Sequence, residues 1–169
     1  MRLPAFLATF ALALPAVAAV PAPHVHAQNF DQLAQPLPLP YNETADAKAV
    51  VAKARARAKA GHKLLLIDLG GNWCLDCRIL AGTIDLPEVA AFVRRHYELV
   101  TVDIGRFDKN LDVPAHYGIT QRLAGVPALL VVDPHTDKLL DAGHVSALED
   151  ARSMNPQALA DWLARWAEK

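Results

Sequence analysis

Residues 64–77 read LLLIDLGGNWCLDC and contain both cysteines of this 169-residue chain, Cys74 and Cys77. The apolar run 64–69 predicts a short strand that is buried on both faces, as a central parallel strand is. Residues 70–72 then lead into a helix that begins near Cys74. Free backbone N–H groups and the positive end of the helix dipole would stabilise a thiolate there. The stretch therefore predicts a redox-active thiol pair, with Cys74 as the nucleophile and Cys77, one turn into the helix, as the resolving thiol.

Two cysteines three positions apart also occur in metal half-sites, in structural bridges and by chance. A zinc site normally needs four ligands, and no second cysteine pair or nearby histidine pair follows. Covalent haem attachment requires His after the second cysteine, where this chain has Arg78. A bridge over so small a loop removes little entropy from the unfolded chain. We therefore expect no metal and no cofactor besides the Cys74–Cys77 disulfide, with a metal carrier that uses both cysteines and one histidine as the lesser alternative.

Residues 1–27 begin with one basic residue, continue as an apolar stretch rich in alanine and leucine, and end in small residues. This pattern is typical of a cleaved secretory signal peptide. We predict cleavage after Ala27, with Ala18 and Ala19 as alternative sites. A retained membrane anchor is the competing interpretation, but prolines interrupt the apolar stretch and no dense basic flank follows. We therefore expect export to the periplasm or the medium, where disulfides persist.

The remainder of the chain has the length of one domain. Residues 28–41 are polar and rich in proline, which predicts an extended lead-in over the surface. Residues 42–169 form the domain itself. The formal net charge is −1 and the basic residues are scattered, so the composition gives no sign of nucleic-acid binding. We expect a monomer that does not bind nucleic acid.

Hydrophobic periodicity and turn residues divide this domain into alternating helices and strands. The predicted helices span residues 43–60, 74–81, 87–96, 111–117 and 156–167, and the predicted strands span residues 63–69, 97–103, 126–132 and 138–142. The first helix has few large apolar residues, so its packing face must be mostly alanine. A break is expected at Gly82 and Thr83. The alternation predicts an α/β fold whose central sheet is part parallel and part antiparallel, with helices on both faces.

Two acidic residues lie close to the cysteine pair in the sequence. Asp68 stands in an otherwise apolar strand, so burial should raise its pKa and suit it to proton transfer, unless the end of the strand reaches solvent. Asp76 lies between the cysteines, and its charge would disfavour the Cys74 thiolate by about 0.5 to 2.5 kcal/mol. The helix terminus and Arg78 act in the opposite direction. A destabilised thiolate favours a reductase or moderate exchanger over a strong oxidant.

The chain resembles the thioredoxin superfamily from about residue 63 to residue 166. Three features carry the resemblance by their order and spacing: the motif Trp73-Cys74-x-x-Cys77 after a strand, Asp68 six residues before the first cysteine, and Gly125-Val126-Pro127 about fifty residues later at a strand start. The chain departs from thioredoxin itself between the cysteines, where Leu75 and Asp76 replace Gly-Pro. Thioredoxin also places a basic residue near its buried aspartate, whereas the equivalent strand here offers Thr101 and Asp103.

The resemblance implies a thioredoxin-like fold with a cis Val126–Pro127 bond; an ordinary trans proline that opens a strand is the alternative. The backbone of Val126 would then lie beside the cysteine pair and receive an extended segment of a substrate protein. Trp73 would cover the pair and contact the substrate, or else be a core residue. Asp68 would help to deprotonate Cys77.

The function expected from the resemblance is that of an exported bacterial thiol–disulfide oxidoreductase acting on protein disulfides through Cys74 and Cys77. Its partners would be substrate proteins with disulfides or thiols and a redox partner protein, for which a membrane protein is one candidate. The alternative is a non-catalytic binding module that docks a partner through the edge formed by Val126 and Pro127, with its cysteines merely bridged.

Overall fold

The computed structural model describes residues 20–167, so most of the predicted signal peptide lies outside the described residues. Its helices and strands, in chain order, are α1 (Ala47–Ala60), β1 (Leu64–Gly70), α2 (Leu75–Ile84), α3 (Pro87–His96), β2 (Tyr97–Asp103), α4 (Asp112–His116), β3 (Ala128–Asp133), β4 (Lys138–Leu139) and α5 (Pro156–Trp166). Short 3-10 turns occur at Phe30–Gln32 and Ala151–Ser153. Within residues 20–167, no helix combines the length and the apolar character needed to cross a bilayer.

The strands form one mixed sheet in the order β2-β1-β3-β4. β1 pairs in parallel with β2 and antiparallel with β3, and β4 returns antiparallel beside β3. Every residue of β1 is buried, as its uninterrupted apolar run predicts. The predicted α/β fold with a mixed central sheet is confirmed.

Helices cover both faces of the sheet. Leu64 and Leu66 of β1 pack with buried side chains of α2, α3 and α5 on one face. The other face of β1 packs against α1, whose buried residues are Ala47, Ala54 and Ala58. The expected alanine face of α1 is thus confirmed. These small side chains let the helix approach the strands closely. The helix begins four residues after the predicted start at residue 43, since Asp46 caps it by accepting the Ala49 N–H at 3.0 Å.

The predicted break in the cysteine-bearing helix is wrong, since α2 continues through Gly82 and Thr83 to Ile84. A Cβ at Gly82 would lie 3.2 Å from Leu37 and 3.3 Å from Leu33, so the bare glycine lets the lead-in pack against the helix. The Thr83 hydroxyl donates to the carbonyl of Ile79 at 2.9 Å, within the helix. Tertiary packing thus outweighs the weak helix propensity of these two residues.

The return strand is shorter than predicted. β4 ends at Leu139, because the buried carboxylate of Asp141 accepts the Val131 N–H at 2.9 Å in place of a backbone carbonyl. Burial, which outweighs this hydrogen bond, raises the pKa of Asp141 to about 6.

The segment before α1 contributes to the core. Val25 is 2% exposed, and its N–H donates to Gln157 of α5 at 2.8 Å. Further along, Leu33 and Tyr41 are buried, and the carbonyl of Pro40 accepts from the Thr101 hydroxyl at 2.8 Å. The predicted lead-in 28–41 is therefore extended for much of its length, but it is hydrogen-bonded to the sheet and buries the side chains of Leu33 and Tyr41.

Candidate active site

The two cysteines lie at the start of α2, just after the loop that follows β1, and they are joined by a disulfide. Cys74 is the N-cap of α2, and its Sγ accepts the backbone N–H of Cys77 at 3.1 Å. Cys74 keeps 5% of its surface exposed, whereas Cys77 keeps none. The Cys77 N–H and the helix terminus face the outer sulfur and would favour a thiolate there, and Cys74 is the more exposed of the two cysteines.

The loop before β3 brings its proline to the same place. The Val126–Pro127 peptide is cis, and both residues are buried. The carbonyl oxygen of Val126 lies 3.4 Å from Sγ of Cys74, although the two residues are 52 positions apart in the chain. Among residues 20–167, the N–H of Val126 has no hydrogen-bond partner. The structure therefore places a backbone edge directly beside the outer sulfur.

Asp68 lies behind the pair, in β1, and is only 1% exposed. The alternative of a strand end that reaches solvent is therefore wrong. Burial raises the pKa of Asp68 to about 7, although a hydrogen bond from the Tyr41 hydroxyl, at 2.9 Å, acts in the opposite direction. Its neighbours in the sheet are Thr101 on β2 and Leu129 on β3. A carboxyl with this pKa changes its protonation state near neutral pH.

Two glycines between β1 and Cys74 make room for aromatic side chains. A Cβ at Gly70 would lie 2.6 Å from Cζ of Tyr41 and 2.8 Å from Sγ of Cys77. A Cβ at Gly71 would lie 2.9 Å from Cδ1 of Trp73. A real Cβ does not make non-bonded contacts this short, so a larger residue at either position would force the neighbouring side chains to shift. The pair of glycines thus follows from close packing around the sulfurs.

Tyr41 is the residue at this site that sequence reasoning missed. It is 3% exposed, and its backbone is held by Asn72: the Tyr41 N–H donates to Oδ1 of Asn72 at 3.1 Å, and Nδ2 of Asn72 donates to the Tyr41 carbonyl at 2.8 Å. The signal in the sequence is a lone aromatic residue at the end of a proline-rich segment, together with consecutive glycines after a buried strand. Neither identifies the partner, because the contacts join residues about thirty positions apart.

Trp73 forms one side of the site and is not a core residue, since 43% of its surface is exposed. Its Nε1–H donates to the carbonyl of Gly105 at 2.7 Å, which turns the ring over the loop after β2. The Arg106 guanidinium lies 4.7 Å from the ring centre, and the Phe107 ring lies 6.3 Å away. Trp73 therefore offers an apolar surface next to Cys74 that a partner can contact.

Asp76 does not act on Cys74 as an isolated negative charge, which corrects the sequence-based expectation. The guanidinium of Arg152 binds both of its carboxylate oxygens, and the Arg152 N–H donates to Oδ1 at 2.9 Å. Burial alone would raise the pKa of Asp76, but these bonds outweigh burial and hold the pKa below its usual value. The carboxylate is thus ionised and paired, so most of its repulsion of a Cys74 thiolate is cancelled.

A family model described as thioredoxin-like matches residues 46–134. The chain belongs to the thioredoxin-like family. A crystal structure of a disulphide isomerase from Xylella fastidiosa Temecula1 is similar at 38% sequence identity, with 76% of this chain and 96% of that chain covered and a TM-score of 0.69. No curated protein matches the chain.

Two further solved structures are more distant. One is a protein of unknown function from Pseudomonas aeruginosa, with 21% identity, 82% of this chain and 91% of that chain covered, and a TM-score of 0.39. The other is an HIV epitope scaffold, with 22% identity, 69% of this chain and 82% of that chain covered, and a TM-score of 0.38.

The range that matches the thioredoxin-like model includes most of the site. Asp68, both cysteines and the Val126–Pro127 edge lie inside residues 46–134, whereas Tyr41 and Arg152 lie outside it. Two residues that contact the acidic groups of the site thus lie outside the matched range, one before it and one after it. In the part of the chain from residue 20 to residue 167, no group of three or more His, Cys, Asp or Glu side chains is arranged to hold a metal ion.

Proposed function

We propose that this protein is a thiol–disulfide oxidoreductase that acts on protein disulfides through Cys74 and Cys77, as a reductase or exchanger. The observation that carries the proposal is the position of Sγ of Cys74, at the N-terminus of α2 and 3.4 Å from the Val126 carbonyl oxygen. A structure similar to this chain is named a disulphide isomerase. Isomerisation and reduction both begin with the attack of a thiolate on a substrate disulfide.

The reaction of the reduced protein takes two steps. The Cys74 thiolate attacks one sulfur of the substrate disulfide, that bond breaks, and one substrate thiolate leaves as a mixed disulfide forms on Cys74. Cys77 then loses its proton to the Asp68 carboxylate and attacks Sγ of Cys74. The mixed disulfide breaks, the second substrate thiolate leaves and is protonated, and the Cys74–Cys77 disulfide remains. Two electrons have passed to the substrate, and a dithiol partner protein must return them.

The substrate segment is expected to lie along the Val126–Pro127 edge. The unpaired N–H of Val126 would donate to the substrate backbone, as in recognition by strand addition. The exposed ring of Trp73 and the side chain of Leu75, each 43% exposed, would contact apolar groups of the substrate. This arrangement binds a backbone rather than one side chain, which suits an enzyme with many protein substrates.

The proposed direction is supported by the small number of groups that stabilise the Cys74 thiolate. Strong oxidants have a strongly stabilised thiolate, usually with a cation close by. Here the Arg78 guanidinium donates to the carbonyls of Leu37 and Pro38, and that of Arg152 binds Asp76. The helix terminus and the Cys77 N–H remain to stabilise Cys74, which supports a moderate reductase or exchanger.

We also propose that the protein acts outside the cytoplasm, with an N-terminal signal peptide that is cleaved at the alternative site after Ala18 or Ala19, because cleavage after Ala27 would remove Val25 from the core. In an oxidising compartment a reductase must receive electrons from another protein, so we propose a redox partner, with a membrane protein as one candidate. Fractionation of the native cell, with the chain detected by immunoblot, tests the location: the protein should appear in the periplasm or the medium, and retention in the cytoplasm contradicts it.

Replacement of the nucleophile tests the activity. In an insulin reduction assay driven by dithiothreitol, we expect Cys74→Ser to reduce turnover to the uncatalysed background, because no mixed disulfide can form on serine. Ser146→Ala is a matched control. It removes a hydroxyl near the Val126 loop, one that donates to the Gly125 carbonyl at 3.4 Å, and it leaves both sulfurs intact. Equal rates for Cys74→Ser and the wild type would instead support a non-catalytic binding module.

A further inference from the structure

We infer that Tyr41 is a positioning residue for thiol–disulfide exchange: its hydroxyl holds the Asp68 carboxylate and sets the pH range in which Asp68 accepts the Cys77 proton. This inference rests on the proposed function. Tyr41 belongs to the segment before α1, outside the range that matches the family model.

The hydroxyl of Tyr41 binds one of the two groups that exchange the proton and lies near the other. It donates to Oδ1 of Asp68 at 2.9 Å. The ring of Tyr41 and Sγ of Cys77 both face the point where Gly70 lacks a Cβ, at 2.6 Å and 2.8 Å from that point. Side chains at positions 68 and 70 point to the same face of β1. The phenol thus contacts the carboxylate and lies near the resolving sulfur.

Tyr41 is also the group that stabilises the charge of Asp68. The groups around Asp68 are Tyr41 of the lead-in, which binds it, and the uncharged Thr101 and Leu129 on the neighbouring strands; Sγ of Cys77 lies near Gly70, two positions further along β1. The next carboxylate on β2, Asp103, is engaged by Lys109 at 2.9 Å, and Asp76 on α2 is engaged by Arg152. Within residues 20–167, no Lys, Arg or His forms an ion pair with Asp68.

The surroundings of Tyr41 keep its hydroxyl in place and protonated. Asn72 binds both the N–H and the carbonyl of Tyr41, and the Thr101 hydroxyl binds the carbonyl of the preceding Pro40. Burial, followed by the negative charge of Asp68, raises the pKa of Tyr41 far above neutral pH. The phenol is therefore a hydrogen-bond donor at every pH at which the enzyme would work.

A hydrogen bond to the ionised form of an acid favours that form, so removal of the Tyr41 hydroxyl should raise the pKa of Asp68. A hydrogen bond to a charged group corresponds to a shift of about one pH unit or slightly more. Below its pKa, Asp68 already carries a proton and cannot accept the one from Cys77. The resolving step should therefore slow as the pH falls through this pKa, and in Tyr41→Phe it should slow at a pH about one unit higher.

The first measurement needs no activity. The carboxyl carbon of Asp68, followed by NMR titration in the oxidised protein, should give a midpoint about one unit higher in Tyr41→Phe than in the wild type. Tyr117→Phe is the matched control. The Tyr117 hydroxyl donates to Oδ1 of Asp137 at 3.4 Å, and neither residue belongs to the cysteine site. It should leave the Asp68 midpoint unchanged. An unchanged midpoint in a folded Tyr41→Phe protein would overturn the inference.

The second measurement is the pH profile of the resolving step in single-turnover reduction of a disulfide peptide. Tyr41→Phe should move the acid limb upward by the same amount, and in an Asp68→Asn background it should move nothing. A uniform loss of rate at all pH values would indicate a merely structural role and contradict the inference.

If Tyr41→Phe fails to fold, Asn72→Ala provides a second variant, because it releases the Tyr41 backbone. It should give a smaller upward shift of the Asp68 midpoint, and no shift contradicts the inference. A wild type without turnover would overturn the proposed function, while the NMR titration would still decide the role of Tyr41.

Discussion

Asp68→Asn should make the oxidised protein more stable at pH 8, by about 2 to 4 kcal/mol, because asparagine removes a buried charge and keeps the shape of the side chain. The folded pKa of Asp68 is raised to about 7. Between the unfolded pKa and pH 7 the folded protein therefore holds a proton that the unfolded chain has lost. Stability conferred by this proton is fully present at low pH and is lost as the pH rises through the folded pKa.

The advantage of Asp68→Asn should consequently be absent below about pH 4, grow between pH 4 and 7, and stay constant above. Thermal unfolding at pH 3.5 and pH 8 measures it, with an expected rise in Tm of about 4 to 16 °C at the higher pH. Asp85→Asn is the control, since Asp85 is exposed at the end of α2 and should match the wild type. An equal or lower Tm for Asp68→Asn at pH 8 would mean that Asp68 is not desolvated.

A stabilising replacement at this buried acid would agree with the proposed role of Asp68 in proton transfer. A carboxylate that costs folding free energy at neutral pH persists where the chemistry needs it. Asp68→Asn should therefore slow the release of the mixed disulfide near pH 7 while it raises stability. The two effects together separate a proton acceptor from a structural side chain.

Gly70→Ala should lower the free energy of unfolding by about 3 kcal/mol and Tm by about 6 to 12 °C. The new methyl would overlap the Tyr41 ring and Sγ of Cys77 at 2.6 and 2.8 Å, and both groups are buried. Gly61→Ala is the matched control, because its methyl would lie 3.3 Å from the carbonyl of Arg57 at an exposed helix end. That variant should differ from the wild type by less than about 1 kcal/mol.

A double-mutant cycle identifies the cause of the Gly70→Ala effect. Tyr41→Ala empties the space that the new methyl needs, so the two changes together should cost clearly less than their separate effects combined. Additive costs, or a Gly70→Ala protein as stable as Gly61→Ala, would show that Tyr41 does not pack against this glycine.

Local patterns in the sequence are sufficient where the physical signal is itself local. The predicted bounds of β2 agree with the structure, and the start of α2 at the first cysteine follows from the buried run that precedes it. The predicted break at Gly82 is wrong because the side chains that pack against this glycine, Leu33 and Leu37, come from a segment whose composition indicates a surface linker. Helix propensity describes a residue in isolation, whereas the helical conformation of Gly82 is determined by the side chains that pack against it.

The same distinction holds at the site. The cysteines, Asp68 and Pro127 can be found from the sequence because a motif and its spacing mark them. The environment of Asp76 cannot, since its partner Arg152 stands 76 positions away and no pattern joins an acid and an arginine over that distance. Tyr41 escapes prediction for a similar reason, as its hydroxyl reaches Asp68 across 27 positions. Charge cancellation and proton positioning depend on contacts that only the folded chain defines.

A mixed-disulfide trap tests whether Cys74 is the nucleophile without relying on complete turnover. Reduced Cys77→Ser protein is mixed with a peptide dimer whose two chains are joined by one disulfide, so that one chain leaves as a thiol, and the product is digested and analysed by mass spectrometry. We expect a stable adduct in which half of the peptide is attached to Cys74, because the nucleophile is present and the resolving thiol is not. Absence of an adduct on Cys74, with the protein folded and reduced, would show that this sulfur does not attack disulfides.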